Sequence, residues 1–226
     1  MRSFKRLPKP LGALAVLAVL AGCGSSDPDY YTLRAWPGMA QAGGPLSLKI
    51  RTPSVAGYLD RDYIVSGDRD YRLRLSKDGA WGEPLADMIG QTLASDLQQR
   101  LPGTNVFTQA GAISTEAQGT VELDITQFAR TNDGQVVLGG ALSVKRAQTG
   151  NGPALPTSSI PLHLAMTPDG SGVSAEVAAL SQLLGQVADR AAIEARRIGT
   201  TLPPAEPPPA TDGAAATGVP VTLAPR

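Results

Sequence analysis

The stretch WGEPLADMIGQTLASDLQQRLPG, residues 81–103, decides the fold because the chain changes there from a strand-like to a helix-like pattern. Proline suits the first turn of a helix and a Pro-Gly pair ends one, so Pro84 and Pro102-Gly103 bracket the element. A four-residue spacing places apolar side chains on one face of a helix, where they can be buried. The residues with this spacing are Leu85, Ile89, Leu93, Leu97 and Leu101. We therefore predict a helix from Leu85 to about Arg100.

Segments on both sides of this helix favour strands, either by alternating apolar and polar residues or by their content of strand formers. Residues 46–52 (LSLKIRT) and 120–128 (TVELDITQF) alternate most clearly. At 71–76, Leu73 and Leu75 alternate with polar residues in the pattern of a half-buried strand. The predicted strands lie at 30–35, 46–52, 63–66, 71–76, 106–109, 120–128, 136–145 and 158–166.

The order of elements predicts the fold class. A second amphipathic helix is predicted at 174–198, and loops are predicted at 36–45 and 147–157, which are rich in Gly and Pro. A group of strands, a helix, four further strands and a second helix can pack as layers around one core. We therefore predict an α/β fold: a single layered domain with a mixed, largely antiparallel sheet and two main helices.

Turn residues predict how some of these strands connect. Asn132-Asp133-Gly134 favours an antiparallel hairpin, and Gly67-Asp68 can turn between two shorter strands. Gly139-Gly140 predicts a bulge or a close approach of two backbones. Pro161 predicts an edge strand or a bulge, because proline cannot donate to a central ladder.

The first residues have the pattern of a bacterial export signal. Arg2, Lys5, Arg6 and Lys9 precede an apolar run at 11–20, which is too short to span a bilayer as a helix. The sequence LAGC, ending at Cys23, resembles a lipobox, in which the cysteine is acylated and becomes the new N-terminus. Several acyl chains on one residue make a stable anchor. An ordinary secretory cleavage site that happens to carry a cysteine is the alternative.

These features divide the chain into four parts. We predict a lipoprotein signal peptide at 1–22, a lipidated tether at 23–28, an α/β domain at 29–200 and a disordered Pro/Ala-rich tail at 201–226. Gly24 after the cysteine favours delivery to the outer membrane, since an Asp there often retains lipoproteins in the inner membrane. Loss of the signal removes four basic residues, leaving an acidic chain for which no nucleic-acid partner is expected.

The residues that could support catalysis have simpler explanations. His163 is the only histidine, lies in a predicted strand, and has no partner in sequence that would make it a general base. Glu122 and Asp124 share a strand face, which a solvated sheet surface explains. The acidic residues between 60 and 70 lack the pattern of an EF-hand. We therefore predict that the protein is not an enzyme and has no metal or cofactor.

Three aromatic residues are candidates for a partner interface. Trp81 lies beside the start of the predicted helix, where it can pack as a hydrophobic staple or contact another protein. Tyr58 and Tyr63 lie in a segment rich in charge. Tyrosine and tryptophan are enriched at interfaces because they combine an apolar ring with a polar group.

Several of these segments occur together in one known family. Cys23, the YYTL run at 30–33, the YLDR run at 58–61 and the WGEPL run at 81–85 come in its order, followed by 121–128 and 134–138. The chain thus resembles the ABC-type transport auxiliary lipoprotein component family, the PqiC-like membrane-integrity lipoproteins, over residues 23–199. The long Gly-rich loop at 36–45 departs from the family pattern.

The resemblance implies a function and a set of partners. It implies an α/β outer-membrane lipoprotein that faces the periplasm and serves a transporter built around an MCE-domain protein and its ABC transporter. Such systems move lipids between the two membranes of a Gram-negative envelope, and the lipoprotein would be a docking piece or a ring of identical subunits. Two alternatives stay open: an envelope scaffold that binds peptidoglycan or outer-membrane proteins, and a carrier that holds a lipid in its own cavity.

Overall fold

The computed structural model describes residues 27–67, 72–112, 116–147 and 159–200. The signal peptide, Cys23, Asp68 of the predicted turn, most of the loop at 147–157 and the tail at 201–226 lie outside these ranges, so the expectations for them remain predictions. The elements are β1 (Asp29–Tyr31), β2 (Ser47–Ile50), β3 (Ser54–Val55), β4 (Tyr63–Gly67), β5 (Leu73–Trp81), α1 (Leu85–Arg100), β6 (Asn105–Thr108), β7 (Gly119–Arg130), β8 (Val136–Arg146), β9 (Ser159–Met166) and α2 (Val173–Thr200).

The strands form two sheets. The larger has the order β6-β2-β7-β8-β9, with β3 added beside β7. Its long β7–β8 and β8–β9 pairs are antiparallel, whereas β2 runs parallel to both β6 and β7. The smaller sheet has the order β1-β5-β4, in which β1 is parallel and β4 antiparallel to β5. The predicted α/β class, with mixed, largely antiparallel pairing and two helices, is confirmed, but the strands divide between two sheets where one was expected.

The core lies between one face of the larger sheet and the two helices. Every second residue at the start of β7 is buried, and the predicted stripe of α1 is buried with it. Burying a leucine or isoleucine side chain contributes about 1.5–3 kcal/mol, so this face holds the sheet and helices together. Core residues from β7, α1 and α2 include Val121, Leu123, Ile125, Ile89, Leu93, Leu97, Leu180, Leu184 and Val187.

The predicted glycine feature in β8 is a close backbone approach opposite a bulge. The β7–β8 register shifts between Ile125 and Gln127, directly across from Gly140 and Gly139. Gly140 has a φ of +153°, and a Cβ atom there would lie 1.9 Å from the carbonyl oxygen of Asp124. Only glycine fits this position without moving the neighbouring strand.

The first predicted strand is shorter than expected. A strand was predicted at 30–35, but β1 ends at Tyr31. Its partner β5 ends at Trp81, and the N–H of Gly82 donates the last bond of the pair to Tyr31 O. Residues 32–35 follow the end of this pair, so β5 offers them no further strand residues to pair with.

The prediction that the first residues of β5 have a buried face is wrong. Leu73 and Leu75 were expected on the buried face of a strand, but 55% and 52% of their surfaces are exposed. The buried residues of β5 lie at its other end, where the strand meets the rest of the domain.

Two turn and edge predictions are confirmed. The strand β9, which contains Pro161, lies at the edge of the larger sheet. The segment at 132–134 joins β7 and β8, which pair as an antiparallel hairpin.

Candidate functional site

The smaller sheet places two tyrosines on either side of one small residue. Ala80 of β5 is the register partner of Tyr30 on β1 and of Tyr63 on β4. Partners on adjacent strands project from the same face of a sheet. Since neighbouring strands lie about 4.8 Å apart, roughly 10 Å separates the two tyrosine backbones, with Ala80 between them. Tyr30 is 72% exposed and Tyr63 is 39% exposed, so both rings are accessible.

These residues line an open groove of about 380 Å³, here called the tyrosine groove. Pro28, the last residue of the predicted lipidated tether, is part of its lining. The remaining lining comes from the segments that enter β4 and leave β5. Its exposed side chains include Tyr30, Tyr63, Asp60, Arg61, Asp62 and Glu83.

Trp81 lines the same groove but is only 6% exposed. Its backbone N–H donates to Asp62 O at 2.7 Å, which ties the end of β5 to the start of β4. Its side chain belongs to the hydrophobic core, in keeping with a packing role beside the helix start. The fold therefore leaves little of the Trp81 side chain available to a partner protein.

Tyr58 lies away from the groove lining. Its hydroxyl donates to Thr126 O at 2.7 Å, and partial burial raises the pKa of the phenol. The bond joins the segment before β4 to β7. Of the three aromatic residues predicted from the sequence, the structure thus brings Tyr63 and Trp81 together and places Tyr58 elsewhere.

Tyr30 is a groove residue that the sequence did not single out. It was assigned only to a strand, and its position beside Ala80 depends on pairing with a strand far along the chain. The local signal was its place in a Tyr-Tyr pair directly after the tether. Because side chains alternate along a strand, one ring of that pair was expected on the outer face. The sequence did not show which of the two it would be.

A second groove, of about 400 Å³, lies on the other side of Tyr30, between the β1 segment and α2. Its lining includes Tyr31, Trp36, Val177 and Ser181. The N–H of Arg34 donates to Ser181 Oγ at 3.2 Å, which fastens this segment to α2. Tyr30 therefore stands as a ridge between two grooves.

A buried arginine holds the segment after β1 in place. Arg100, at the end of α1, is 1% exposed, and its guanidinium donates to Trp36 O and Gly185 O, both at 3.0 Å. It also donates to Asp189 Oδ1 at 2.6 Å. One side chain thus joins α1, α2 and the loop that follows β1, so the position of β1 is fixed from both helices.

Asp96 completes this cluster, and burial changes its acidity. Its Oδ1 accepts the N–H of Trp36 at 2.7 Å, and its Oδ2 has no hydrogen-bond partner. Burial raises the pKa of this carboxyl to about 6, against the lowering effects of the Trp36 N–H and of Arg100. The cluster is a structural connection, because Asp96 Oδ1 and the guanidinium of Arg100 are bonded to protein groups of both helices and of the loop after β1.

The outer face of the larger sheet carries other polar residues that the sequence raised as candidates. Glu122 pairs with Lys145 at 2.5 Å and accepts from Arg51 at 2.9 Å, and these two bonds lower the pKa of its carboxyl. His163 is exposed on the edge strand β9, on the face opposite Leu162 and Leu164. Within the described ranges, no three of the residues His, Cys, Asp and Glu come together as a metal site would require.

A known family matches most of the chain. The model of the ABC-type transport auxiliary lipoprotein component family matches residues 31–192, a span that includes most of the lining of both grooves. The chain belongs to this family, a class of transport lipoproteins rather than of enzymes. Across the described residues, no helix combines the length and the apolar character needed to cross a membrane.

Among individual proteins, the chain is similar to the intermembrane transport lipoprotein PqiC of Escherichia coli K12 and of Shigella flexneri. Each is 29% identical over 126 residues, a region that covers 54% of this chain and 66% of the relative. The match thus spans just under two thirds of the length of these curated relatives.

Solved structures show the same fold. A crystal structure of an uncharacterised protein matches with a TM-score of 0.59 and 22% identity, covering 74% of this chain and 97% of the other. A Xanthomonas campestris protein matches with a TM-score of 0.53 and 16% identity, covering 77% of this chain and 97% of the other. At this level of identity the likeness concerns the architecture alone.

Proposed function

We propose that the protein is the outer-membrane lipoprotein of an MCE-type ABC transport system that moves lipids between the inner and outer membranes. Membership of the transport lipoprotein family carries this proposal. The name of the PqiC relatives, intermembrane transport lipoprotein, agrees with it. In this proposal the protein performs no chemistry, and it holds a periplasmic component of the transporter at the outer membrane.

The anchor in this proposal is Cys23, after removal of residues 1–22. Asp29, where β1 begins, lies six positions after Cys23. An extended chain of that length spans at most roughly 21 Å. The tyrosine groove, with Pro28 in its lining, would therefore lie within about that distance of the membrane surface, facing the periplasm.

The docking surface in this proposal is the tyrosine groove. Exposed tyrosines are frequent anchors of protein interfaces, because a ring with two rotatable bonds buries a large area at a small cost in entropy. The partner would be the MCE-domain protein, and several copies of this chain could surround it as a ring.

Co-purification tests the proposed function. Full-length protein is extracted from membranes in mild detergent and the proteins bound to it are identified. We expect an MCE-domain protein and its ABC transporter. The Tyr30→Ala/Tyr63→Ala variant should lose them, whereas Leu73→Ala/Leu75→Ala, which changes two exposed residues of the same sheet, should retain them.

The other outcomes separate the alternatives. Recovery of peptidoglycan or of outer-membrane proteins without an MCE-domain protein would favour an envelope scaffold. A stoichiometric lipid on the purified protein alone would favour a carrier. Either result would contradict the proposed docking function.

A further inference from the structure

The tyrosine groove carries an excess of negative charge. Asp60, Asp62 and Glu83 line it, and Arg61 is the one basic residue of the lining. All four are exposed. Glu83 accepts a hydrogen bond from Gln91 at 3.2 Å, while no bond within the described residues engages the carboxylates of Asp60 or Asp62. The groove therefore presents free carboxylates to whatever enters it.

In the aromatic part of the groove, two exposed tyrosines lie on either side of one small residue. Tyr30 and Tyr63 flank Ala80, which lines the groove and is itself only 3% exposed. Backbones roughly 10 Å apart leave space between two rings for a single extended side chain in van der Waals contact with both. Faces of tyrosine rings attract ammonium and guanidinium groups.

We propose that the tyrosine groove binds a lysine or arginine side chain from a basic segment of the docking protein. The two rings contact the aliphatic part and the cation, and Asp60 and Asp62 supply the opposite charge. Carboxylates bind a guanidinium through paired hydrogen bonds, so arginine fits the site best. Only the identity of the partner rests on the proposed function; the chemistry of the site rests on these residues.

The same charges argue against the membrane as the occupant of the groove. Anionic lipid headgroups attract lysine and arginine clusters. The same headgroups repel a surface on which carboxylates outnumber basic residues, even where a tether holds that surface close to the membrane. A protein segment with basic side chains is the complementary occupant.

Peptide binding to the full-length protein in detergent tests the proposal. The probes are two short fluorescein-labelled peptides, one alternating alanine with arginine and one alternating alanine with glutamate, followed by fluorescence anisotropy. We expect saturable binding of the arginine peptide alone, weakened strongly by about 0.5 M salt. Asp60→Lys/Asp62→Lys and Tyr30→Ala/Tyr63→Ala should each weaken it at least about fivefold, because charge and ring contacts both contribute.

A matched variant controls for the change in net charge. Asp124→Lys/Asp169→Lys alters the charge by the same amount at exposed positions outside the groove and should bind as the wild type does. Absence of binding, equal binding of both peptides, or equal weakening by the two charge variants would overturn the proposal. A membrane contact is tested with the Cys23→Ala chain without its signal peptide. Flotation of that chain with phosphatidylglycerol vesicles, lost on Tyr30→Ala/Tyr63→Ala, would also overturn the proposal.

The peptide assay and the co-purification can fail separately. If the MCE-domain protein co-purifies but the arginine peptide does not bind, the site chemistry is wrong, docking uses other contacts and the proposed function stands. If the peptide binds as expected but no MCE-domain protein is recovered, the site chemistry stands and the partner must be sought among other proteins with basic segments.

Discussion

At the scale of single residues, Arg100 connects three separate parts of the molecule. Its guanidinium donates to Trp36 O, Asp96 O, Gly185 O and Asp189 Oδ1. A buried charge is tolerated there because each of its nitrogens meets an acceptor. Removing it would leave carbonyl groups and Asp96 buried without their partner.

We expect Arg100→Met to destabilise the protein by about 3 kcal/mol or more, since breaking a buried ion pair from one side leaves uncompensated polar groups. Urea denaturation of the purified protein, followed by circular dichroism, measures the change. Arg51→Met is the control, because Arg51 is exposed and its pair with Glu122 lies on the surface. That variant should lose at most about 1 kcal/mol. Equal losses in both variants would contradict the role given to Arg100.

Asp96 should make stability depend on pH between about pH 4 and pH 7. Burial raises its pKa in the folded protein to about 6, so the folded state binds the proton more tightly than the unfolded state does. Its contribution to stability is therefore present at low pH and is lost as the pH rises through 6, by about 1–3 kcal/mol. Denaturation midpoints across this range should fall with rising pH in the wild type and fall less in Asp96→Asn. An identical dependence in both would assign the effect to another group, such as Glu176, whose pKa burial also raises.

The environment of a residue was predictable where it depends on neighbours in the sequence. It was unpredictable where it depends on contacts with distant parts of the chain. His163 lies exposed on the sheet, because alternation with Leu162 and Leu164 fixes its face. Arg100 looked like an ordinary basic residue at the end of a helix. Its burial depends on acceptors from Trp36 and Gly185, which lie 64 and 85 positions away.

At the scale of elements, the β7–β8 hairpin depends on one glycine. Gly140 faces the bulge of β7, and the carbonyl of Asp124 occupies the space of a side chain. We expect Gly140→Ala to cost about 2–4 kcal/mol, because both the backbone angle and the contact become strained. Thermal denaturation of this variant measures it.

The control for this substitution is Gly57→Ala. A Cβ at Gly57 would meet nothing within 4 Å. Its effect should stay within about 0.5 kcal/mol of the wild type, as for most surface substitutions. If Gly140→Ala were equally mild, the close approach between β7 and β8 would not be essential to the hairpin.

Helices and strands were predictable wherever the periodic pattern of apolar residues extended over enough positions. The apolar stripe predicted α1 with its observed bounds, Leu85–Arg100. In the smaller sheet, the antiparallel pair of β4 and β5 agrees with the turn predicted between two shorter strands. The pairing of β1 with β5 was not predictable, because it involves only three residues and joins segments far apart in sequence. The local pattern of Leu73 and Leu75 even predicted the wrong face, since alternation cannot show whether a second layer covers it.

At the scale of the whole molecule, the proposed lipidated tether would determine where the groove can act. We expect Gly24→Asp to move the lipoprotein from the outer-membrane to the inner-membrane fraction on a sucrose gradient, by the sorting effect of Asp after the lipidated cysteine. Gly24→Asn, which adds an uncharged side chain of the same shape, should remain in the outer membrane. Cys23→Ala should leave the outer-membrane fraction, because no acyl chains can be attached.

A protein that stays in the outer-membrane fraction with Gly24→Asp would contradict the sorting prediction alone. Retention of Cys23→Ala in that fraction would contradict the anchor. We expect the fold to be untouched in both cases, since these positions precede the first described strand, β1.

Docking of a transport protein at the tyrosine groove, beside the outer membrane, is tested most directly by site-specific photo-crosslinking in intact cells. A photoreactive phenylalanine replaces Tyr30 and, as a control, Asp124, an exposed residue of the larger sheet. We predict a crosslink from position 30 to an MCE-domain protein and none from position 124. A crosslink to that protein from position 124 alone, or crosslinks from position 30 only to cell-wall components, would contradict the docking role of the groove.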